Sequence, residues 1–382
     1  MNEEMKTSIQ LGKIIGIPIR LHISFLLILP LFAYAFATTN TPSGEWMQSH
    51  TWGLLNTPIG FGGVGDPLIR YVSGTIVTLL LFSCVLLHEL GHSYMAKKHG
   101  IGIKSITLII FGGISSMEEI PPDPRIESKV AVVGPSVSLA IGLSFYFIYG
   151  LLEFVSLGIV RASVGMLAFY NFILCGFNLL PAFPMDGGRL LRSWLAKRMS
   201  YVDATNKAVS VGKIFALILG MFGLFYGGFW FILIAFFVYI GASEEKKATE
   251  VTVTLRGVKV RDIMTADVQI VKPDMLVSEL VDLMFKEKHM GYPVVDGNVI
   301  GIVTFNDIRQ IPSDKRDSIY IANIMTREVI SVQPDDDAIT ALKLLSKHDI
   351  GRLIVMEDGV MVGIVSRADL VRSLELLGQM RL

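Results

Sequence analysis

Long apolar runs separated by short polar segments fill the first two thirds of the chain. Four of them have close to the 20 residues that a helix needs to cross a bilayer core of about 30 Å, at 22–39, 69–95, 130–152 and 162–180. A fifth run, 214–243, is too long for one upright helix, and Gly227 and Gly228 lie near its middle. It predicts a hairpin of two spans, about 208–226 and 229–242. The pattern therefore predicts six transmembrane helices.

The last third of the chain has a different pattern and contains an internal repeat. The segment VRDIMT at 260–265 recurs as IANIMT at 321–326, and GIVTFND at 301–307 recurs as GIVSRAD at 363–369. Each copy predicts a strand, a helix, two strands and a helix, and one copy alone cannot bury its sheet. The prediction is a polytopic α-helical membrane protein with a C-terminal α+β domain. Its parts are a transmembrane domain at 1–245, a linker at 246–258 and two repeats at 259–316 and 317–382.

Composition supports this division. Of the 382 residues, 52% are hydrophobic and 18% are charged, which is too apolar for a soluble protein throughout. Residues 1–245 contain 16 basic and 14 acidic residues, whereas the shorter segment 246–382 contains 18 and 20. The formal net charge is zero, so nothing in the charge suggests a nucleic acid as a partner.

The basic residues predict the orientation, because cytoplasmic flanks of membrane helices collect Lys and Arg. With the N-terminus inside, only Arg70 and Arg161 of the 16 basic residues before position 246 fall outside, and the loop 40–69 contains none. Six spans then return the C-terminal domain to the cytoplasm. We expect a multi-pass protein of the cell membrane with both termini cytoplasmic.

Two acidic residues, Glu89 and Asp186, lie within or against apolar spans, where ionisable groups are costly and usually functional. Glu89 belongs to HELGH, residues 88–92. On a helix, His88 and His92 share a face and can bind one metal ion, with Glu89 beside them as a general base. The alternative, two interfacial histidines that cap a helix, leaves a carboxylate in the bilayer without a partner.

A catalytic zinc ion normally takes three protein ligands. His22 is one candidate, although its place at the start of the first span suits an interfacial anchor. Asp186 is the better candidate, because it follows two prolines and precedes two glycines in NLLPAFPMDGGR, residues 178–189. These residues predict a break in the helix and a tight turn at membrane depth. The alternative is a surface turn in which Asp186 caps the next helix, 187–197.

HELGH and NLLPAFPMDGGR together resemble the site-2 protease family of intramembrane zinc endopeptidases, and the repeated domain resembles the CBS pair of its archaeal members. The resemblance implies one Zn²⁺ per chain, with Glu89 as the general base and Asn178 helping to hold the substrate or to stabilise the oxyanion. It implies three zinc ligands: His88, His92 and Asp186. The family often has Asn where this chain has Ser138, which leaves a polar role there open.

The expected substrate is a transmembrane helix of another membrane protein, which must unwind locally in the lipid bilayer before its carbonyls are accessible. The segment 106–115 is rich in β-branched residues and contains Gly112 and Gly113. It predicts a re-entrant strand and loop that receives the unwound substrate by strand addition. The alternative is a short hydrophobic element packed on the core. Since HELGH lies just before Lys97, the metal is expected nearer the cytoplasmic face.

A CBS pair implies an adenosine-containing ligand, either an adenine nucleotide or S-adenosylmethionine. In each repeat a hydroxyl would serve the phosphate and a carboxylate three residues later would serve the ribose, in the pairs Thr304 with Asp307 and Ser366 with Asp369. The alternative for each pair is a helix cap. A homodimer through the CBS pair is a further expectation.

The sequence thus predicts an intramembrane zinc endopeptidase that hydrolyses peptide bonds in transmembrane segments and is modulated by an adenine nucleotide. The rival class is a nucleotide-gated channel or transporter in which Glu89 and Asp186 line an ion path. An inactive scaffold that binds helices is disfavoured, because both motifs are intact.

Overall fold

The computed structural model describes residues 8–39, 60–109, 112–117, 122–154, 157–226 and 228–381. Most of the loop 40–69 falls outside these residues. The chain separates into two compact units, the first ending at Thr249 and the second beginning at Glu250.

The first unit consists of helices around one small sheet. Its strands are β1 (Ser8–Ile14), β2 (Ile17–His22), β3 (Ile103–Ile109) and β4 (Gly112–Met117). Its helices are α1 (Ile23–Thr38), α2 (Pro67–Lys98), α3 (Pro124–Leu151), α4 (Gly158–Asn178), α5 (Asp186–Leu195), α6 (Tyr201–Tyr226) and α7 (Phe229–Leu255), whose last residues belong to the second unit. A 3₁₀ turn, Leu152–Phe154, follows α3.

Within the described residues, four helices are long and apolar enough to cross a membrane: α2, α3 with its 3₁₀ turn, α4 and α6. The helix α1 is apolar but has 16 residues. In α7 the apolar stretch ends before Glu244 and Glu245. The structure therefore supports a membrane domain with four such helices, and the count of six spans stays a prediction.

The predicted break at the glycine pair is confirmed, because α6 ends at Tyr226 and α7 begins at Phe229. The two helices pack closely as a hairpin: a Cβ at Gly223 would lie 2.9 Å from the carbonyl oxygen of Gly228, and one at Gly220 would lie 3.4 Å from Ala235. Large apolar side chains such as Phe225 on the outside of this hairpin are exposed. A lipid environment would cover such side chains.

The sheet joins the N-terminal residues to the segment after α2, in the order β1-β2-β3-β4. β2 and β3 are parallel, whereas the other two pairs are antiparallel. The strand predicted in 106–115 is confirmed as β3 and β4, with residues 110–111 outside the description. The N-terminal hairpin was not predicted; its turn is formed by Ile15 and Gly16, both at positive φ. Within the described residues β4 pairs with β3 alone, so it forms one edge of the sheet.

The second unit contains the two repeats. Its helices are α8 (Val260–Ile263), α9 (Val277–Glu287), α10 (Phe305–Arg309), α11 (Ala338–Lys347) and α12 (Arg367–Arg381). Its strands are β5 (Gly291–Asp296), β6 (Asn298–Thr304), β7 (Ser331–Val332), β8 (Arg352–Glu357) and β9 (Val360–Ser366). The predicted order of strand, helix, two strands and helix is present in the second repeat. In the first, a single bridge between Val271 and Val294 stands for the first strand.

The two repeats interlock through their repeated motifs. Thr265 of the first repeat bridges to Ile364 of the second, and Thr326 of the second bridges to Ile302 of the first. The glycine beside each bridge explains the repeated GIV: a Cβ at Gly363 would lie 2.8 Å from the sulfur of Met264, and Gly301 meets Met325 at the same distance. Each repeat thus completes the core of the other.

Candidate metal centre

Helix α2 carries HELGH in its last three turns and presents both histidines on one face. His88 and His92 are 3% and 6% exposed, and their Nε2 atoms lie 3.1 Å apart. Neighbours four residues apart on a helix are in reach of each other, so this juxtaposition follows from the spacing alone. The two ring nitrogens face a common point.

Asp186 completes the cluster from a distant part of the chain. Its Oδ2 lies 3.0 Å from His92 Nε2 and 3.4 Å from His88 Nε2. One ligand atom from each of the three residues lies within 4.8 Å of the others. Asp186 is the first residue of α5 and follows the cap residue Met185, which makes no side-chain cap bond. Asp186 is thus not the cap residue of α5, and its carboxylate contacts the two histidines.

The loop between α4 and α5 has the composition that the site requires. Pro181 and Pro184 prevent a continuous helix, and the peptide bond before Pro184 is cis. A Cβ at Gly187 would overlap the carbonyl oxygens of Leu179 and Leu180. The chain can therefore fold back tightly enough for Asp186 to reach α2 only with a glycine at that position.

Helix α3 supports the two imidazoles from the other side. Nδ1 of His92 donates to the carbonyl oxygen of Val130 at 2.8 Å, and Nδ1 of His88 is 2.8 Å from Oγ of Ser138. Because a carbonyl can only accept, the proton of neutral His92 is on Nδ1, and its Nε2 lone pair is free for a metal. Between these contacts, a Cβ on Gly134 would overlap the ring of His92 and lie 2.7 Å from His88 Nε2.

Glu89 lies beside the cluster and against the edge strand. A Cβ at Gly113 of β4 would overlap Cγ of Glu89 and lie 3.4 Å from its Oε1. The hydroxyls of Ser93 and Ser115, 2.7 Å apart, tie β4 to α2 next to this contact. The glycine therefore lets the strand backbone run directly past the Glu89 carboxylate.

The other predicted candidates, Asn178 and His22, make local hydrogen bonds in this structure. Asn178 is the last residue of α4 and donates through Nδ2 to the carbonyl oxygen of Leu174 at 2.9 Å. His22 caps α1, accepting from the backbone N–H of Ser24 at 3.2 Å. Cys84, one turn before His88, is buried in the packing of α2.

Sequence reasoning missed most of the support from α3. The motifs leave the role of Ser138 open and predict none for Gly134, although the two are four residues apart and so share a face. That spacing was the available signal. The contact of Val130 is made by its main chain, so its side chain gives no signal.

The donor set fits zinc. Two imidazole nitrogens and one carboxylate oxygen are a common protein set for a catalytic zinc ion, leaving one position open. The hydrogen bonds to Nδ1 orient the rings, as the outer partners of zinc-bound histidines normally do. A cation at this point would also compensate the charge of Asp186, whose side chain is 13% exposed.

In the second unit, both candidate ligand pairs form capping boxes. The backbone N–H and the hydroxyl of Thr304 donate to Asp307 Oδ2, both at 2.7 Å. Ser366 makes the same two bonds to Asp369, at 2.9 and 2.7 Å. The structure thus shows the capping geometry at both sites. Arg352, opposite Ser366 in the β8–β9 register, has a buried Nε without a hydrogen-bond partner among the described residues.

Comparison with known proteins identifies both units. The family described as peptidase family M50 matches residues 76–158 and 153–219, and the CBS domain matches 260–314 and 321–376. A zinc metalloprotease of Methanocaldococcus jannaschii is 36% identical over 98% of this chain and 98% of its own length.

Two solved structures are also similar. The site-2 protease from Methanocaldococcus jannaschii is 37% identical and covers 63% of this chain and 95% of its own, with a TM-score of 0.42. CBSX2 in complex with AMP is 26% identical and covers 32% of this chain and 99% of its own, with a TM-score of 0.30.

The chain belongs to peptidase family M50, the site-2 protease family, with tandem CBS domains. It is a zinc metalloendopeptidase and a membrane protein with several apolar helices. The resemblance found in HELGH and NLLPAFPMDGGR is thereby confirmed. The comparisons do not favour the rival channel or transporter.

Gly134→Ala is expected to abolish zinc binding, because the added Cβ occupies the space of the His92 ring. Zinc content of the purified protein measures this. Gly150→Ala on the same helix is the control, since a Cβ there meets nothing within 4 Å and should leave full zinc. Full zinc in Gly134→Ala would contradict the packing of α3 against the imidazoles.

Ser138→Ala is expected to weaken zinc binding by about 10–100-fold, the usual effect of removing an outer partner of a metal-bound histidine. Competition with a chromophoric chelator gives the affinity. The matched control is Ser136→Ala, because Ser136 is exposed on the same helix and bonds only the carbonyl of Val132 in its own helix. Equal zinc affinity in the two variants would remove Ser138 from the site.

Proposed function

We propose that this protease is an intramembrane endopeptidase that cuts transmembrane segments of other membrane proteins, as in regulated intramembrane proteolysis. The observation that carries the proposal is the position of Glu89, which follows His88 of the cluster in the chain and packs its side chain against Gly113 of the edge strand β4. The site is built into helices whose outer faces are apolar. A substrate in the bilayer would meet it laterally.

The three clustered residues would bind one zinc ion. When bound, zinc supplies a Lewis acid for the scissile carbonyl and a water of lowered pKa. Glu89 would act as the general base that takes the proton of the attacking water, and then as the acid that passes it to the leaving amine. Asn178 would release its bond to Leu174 and donate to the substrate carbonyl, where negative charge develops.

The edge strand β4 would hold the unwound substrate. A peptide added to β4 satisfies its own backbone N–H and C=O groups, which a bilayer core cannot do. Because the Glu89 side chain lies against Gly113, the added strand would run past the general base. The backbone contacts give affinity without selecting a particular side-chain sequence.

The finer topology is also part of this proposal. It comprises six spans, cytoplasmic termini and the divisions 1–245, 246–258, 259–316 and 317–382. The apolar α1 and the apolar half of α7 would be the two spans beyond the four long helices. The distribution of basic residues supports the orientation. We also propose that the chain forms a homodimer through its CBS pair.

Glu89→Gln is expected to reduce cleavage of a reporter transmembrane segment by about 10²–10⁴-fold, the usual contribution of a positioned general base. Zinc content should be unchanged, because the ligands remain. Gel analysis of the purified protein in detergent measures both reporter halves. Glu153→Gln, which alters an exposed ion pair with Arg161, is the control and should cleave normally. Wild-type cleavage by Glu89→Gln would overturn the assignment.

We further propose that the CBS pair binds an adenine nucleotide that modulates the protease. The two candidate pairs form capping boxes in this structure, so support comes instead from Arg352, which is half-buried and near Asp369. Burial lowers the pKa of Arg352, so its charged guanidinium is poorly solvated and would gain from an anionic partner. This favours a phosphate-bearing ligand over S-adenosylmethionine.

Titration of the full-length protein with AMP, ATP, adenosine and S-adenosylmethionine tests this by calorimetry. AMP or ATP is expected to bind, and Arg352→Gln to weaken that binding about tenfold or more, because a charge-assisted hydrogen bond is lost. Adenosine, which lacks the phosphate, should be affected little by the substitution. If none of the four compounds binds at millimolar concentration, the proposal that the CBS pair binds a nucleotide is wrong.

A further inference from the structure

A buried ionic cluster joins α3 to α5, and none of the chemistry above uses it. Glu127 of α3 is 1% exposed, and its carboxylate accepts from several donors. Oε1 accepts from Nε of Arg192 at 2.9 Å and from a terminal nitrogen of the same guanidinium. Oε2 accepts from the hydroxyls of Ser193 and Tyr201, each at 3.1 Å.

Stability alone does not account for this cluster. A buried ion pair is often no more stabilising than apolar residues of the same volume, although breaking one is costly. Such a pair can instead fix one relative position of the elements that carry it. The elements joined here are α3 and α5, which are the helix that supports the imidazoles and the helix that begins at Asp186.

One face of α3 contacts both parts of the site. Glu127 and three further residues lie three or four positions apart and so form one stripe on the helix. Val130 accepts from His92, Gly134 leaves room for both rings, and Ser138 contacts His88. Glu127, at the start of this stripe, contacts α5 instead. The stripe therefore sets the position of α5 relative to the histidines.

Because Asp186 is the first residue of α5, the position of this helix determines where its carboxylate lies. Ser193 is seven residues after Asp186, so the two lie on the same face of a helix of only ten residues. Arg192 also contacts the loop before α5, because its guanidinium lies 4.8 Å from the centre of the Phe183 ring. Phe183 is fully buried three residues before Asp186. Both ends of α5 are thus connected to the same buried guanidinium.

The guanidinium also reaches α7. Its other terminal nitrogen lies 2.8 Å from Oε1 of Glu245 and donates to Oγ1 of Thr249 at 3.1 Å. Arg192 is therefore held from three sides, and its rotation is restricted. A short helix with one such anchor has little freedom to move its first residue.

We propose that Glu127 is a positioning residue of the zinc centre: through Arg192 and Ser193 it fixes α5 on α3 and so places the Asp186 carboxylate against the two imidazoles. It touches neither the metal nor the substrate. The inference rests on the proposed ligand set of His88, His92 and Asp186. It predicts that the geometry of the metal site depends on Glu127, which contacts α5 two turns after Asp186.

Metal binding by the full-length protein in detergent tests the inference without any cleavage assay. The protein is stripped with a chelator and titrated with Co²⁺, whose visible absorption reports coordination geometry, and zinc affinity is measured by competition. Glu127→Gln is expected to weaken zinc binding by about 10–100-fold, as for outer partners of metal ligands. It should also alter the cobalt spectrum. Glu153→Gln, the same change in an exposed pair, should leave both within twofold of wild type.

Ser193→Ala serves as the second variant, because it removes one neutral donor and keeps the ion pair. Its zinc affinity is expected to fall by about 2–10-fold, in line with the loss of one hydrogen bond. Wild-type affinity and spectrum in a folded Glu127→Gln protein would overturn the inference. If Glu127→Gln does not fold, wild-type affinity and spectrum in Ser193→Ala would do so.

The two proposals fail differently. A wild-type protein that binds zinc but cuts no transmembrane reporter would contradict the proposed function and leave this inference standing. Normal cleavage by wild type, together with unchanged metal binding in the variants, would contradict only the role of Glu127.

Discussion

The close approach of α3 to the imidazoles of α2 is the contact on which the rest of the catalytic unit depends. Gly134 provides the space, and the neighbouring polar groups of Val130 and Ser138 satisfy the two Nδ1 atoms that would otherwise be buried without partners. An apolar surrounding makes an unsatisfied polar group expensive, so these bonds determine which way the rings face. This orientation leaves the Nε2 atoms of His88 and His92 directed toward each other and available to bind one metal ion.

Close packing at a glycine also shapes the other two sides of the site. Asp186 reaches the histidines because Gly187 lets the chain fold back over the end of α4, and Glu89 meets the edge strand because Gly113 has no side chain there. Gly187 makes room for two backbone carbonyls, whereas Gly113 lets the strand backbone approach a functional side chain. The proposed general base therefore lies where α2 and the edge strand β4 come closest, at a sheet edge that a peptide could extend.

Much of the architecture was predictable from the sequence, for identifiable reasons. Long apolar runs predict membrane helices because a bilayer imposes their length, and the spacing of HELGH predicts a shared helical face. The repeat could be recognised because the segment that begins at Gly301 recurs at Gly363. The N-terminal hairpin was not predicted, because its few residues carry no strong alternation and its sheet partner, β3, is some ninety residues away. The contacts of Met264 with Gly363 and of Met325 with Gly301, each between the two repeats, were not predicted either.

What the sequence determined by itself was local: the helix face with His88 and His92, the break before Asp186, and the identity of both families through their motifs. Only the tertiary structure decided that α3 supports the imidazoles, that Glu127 is buried against Arg192, and that Glu89 faces a strand edge. Helical and strand periods are properties of neighbouring residues, so a sequence displays them directly. Contacts between residues some twenty to seventy positions apart depend on how the helices and strands pack, and no local pattern encodes them.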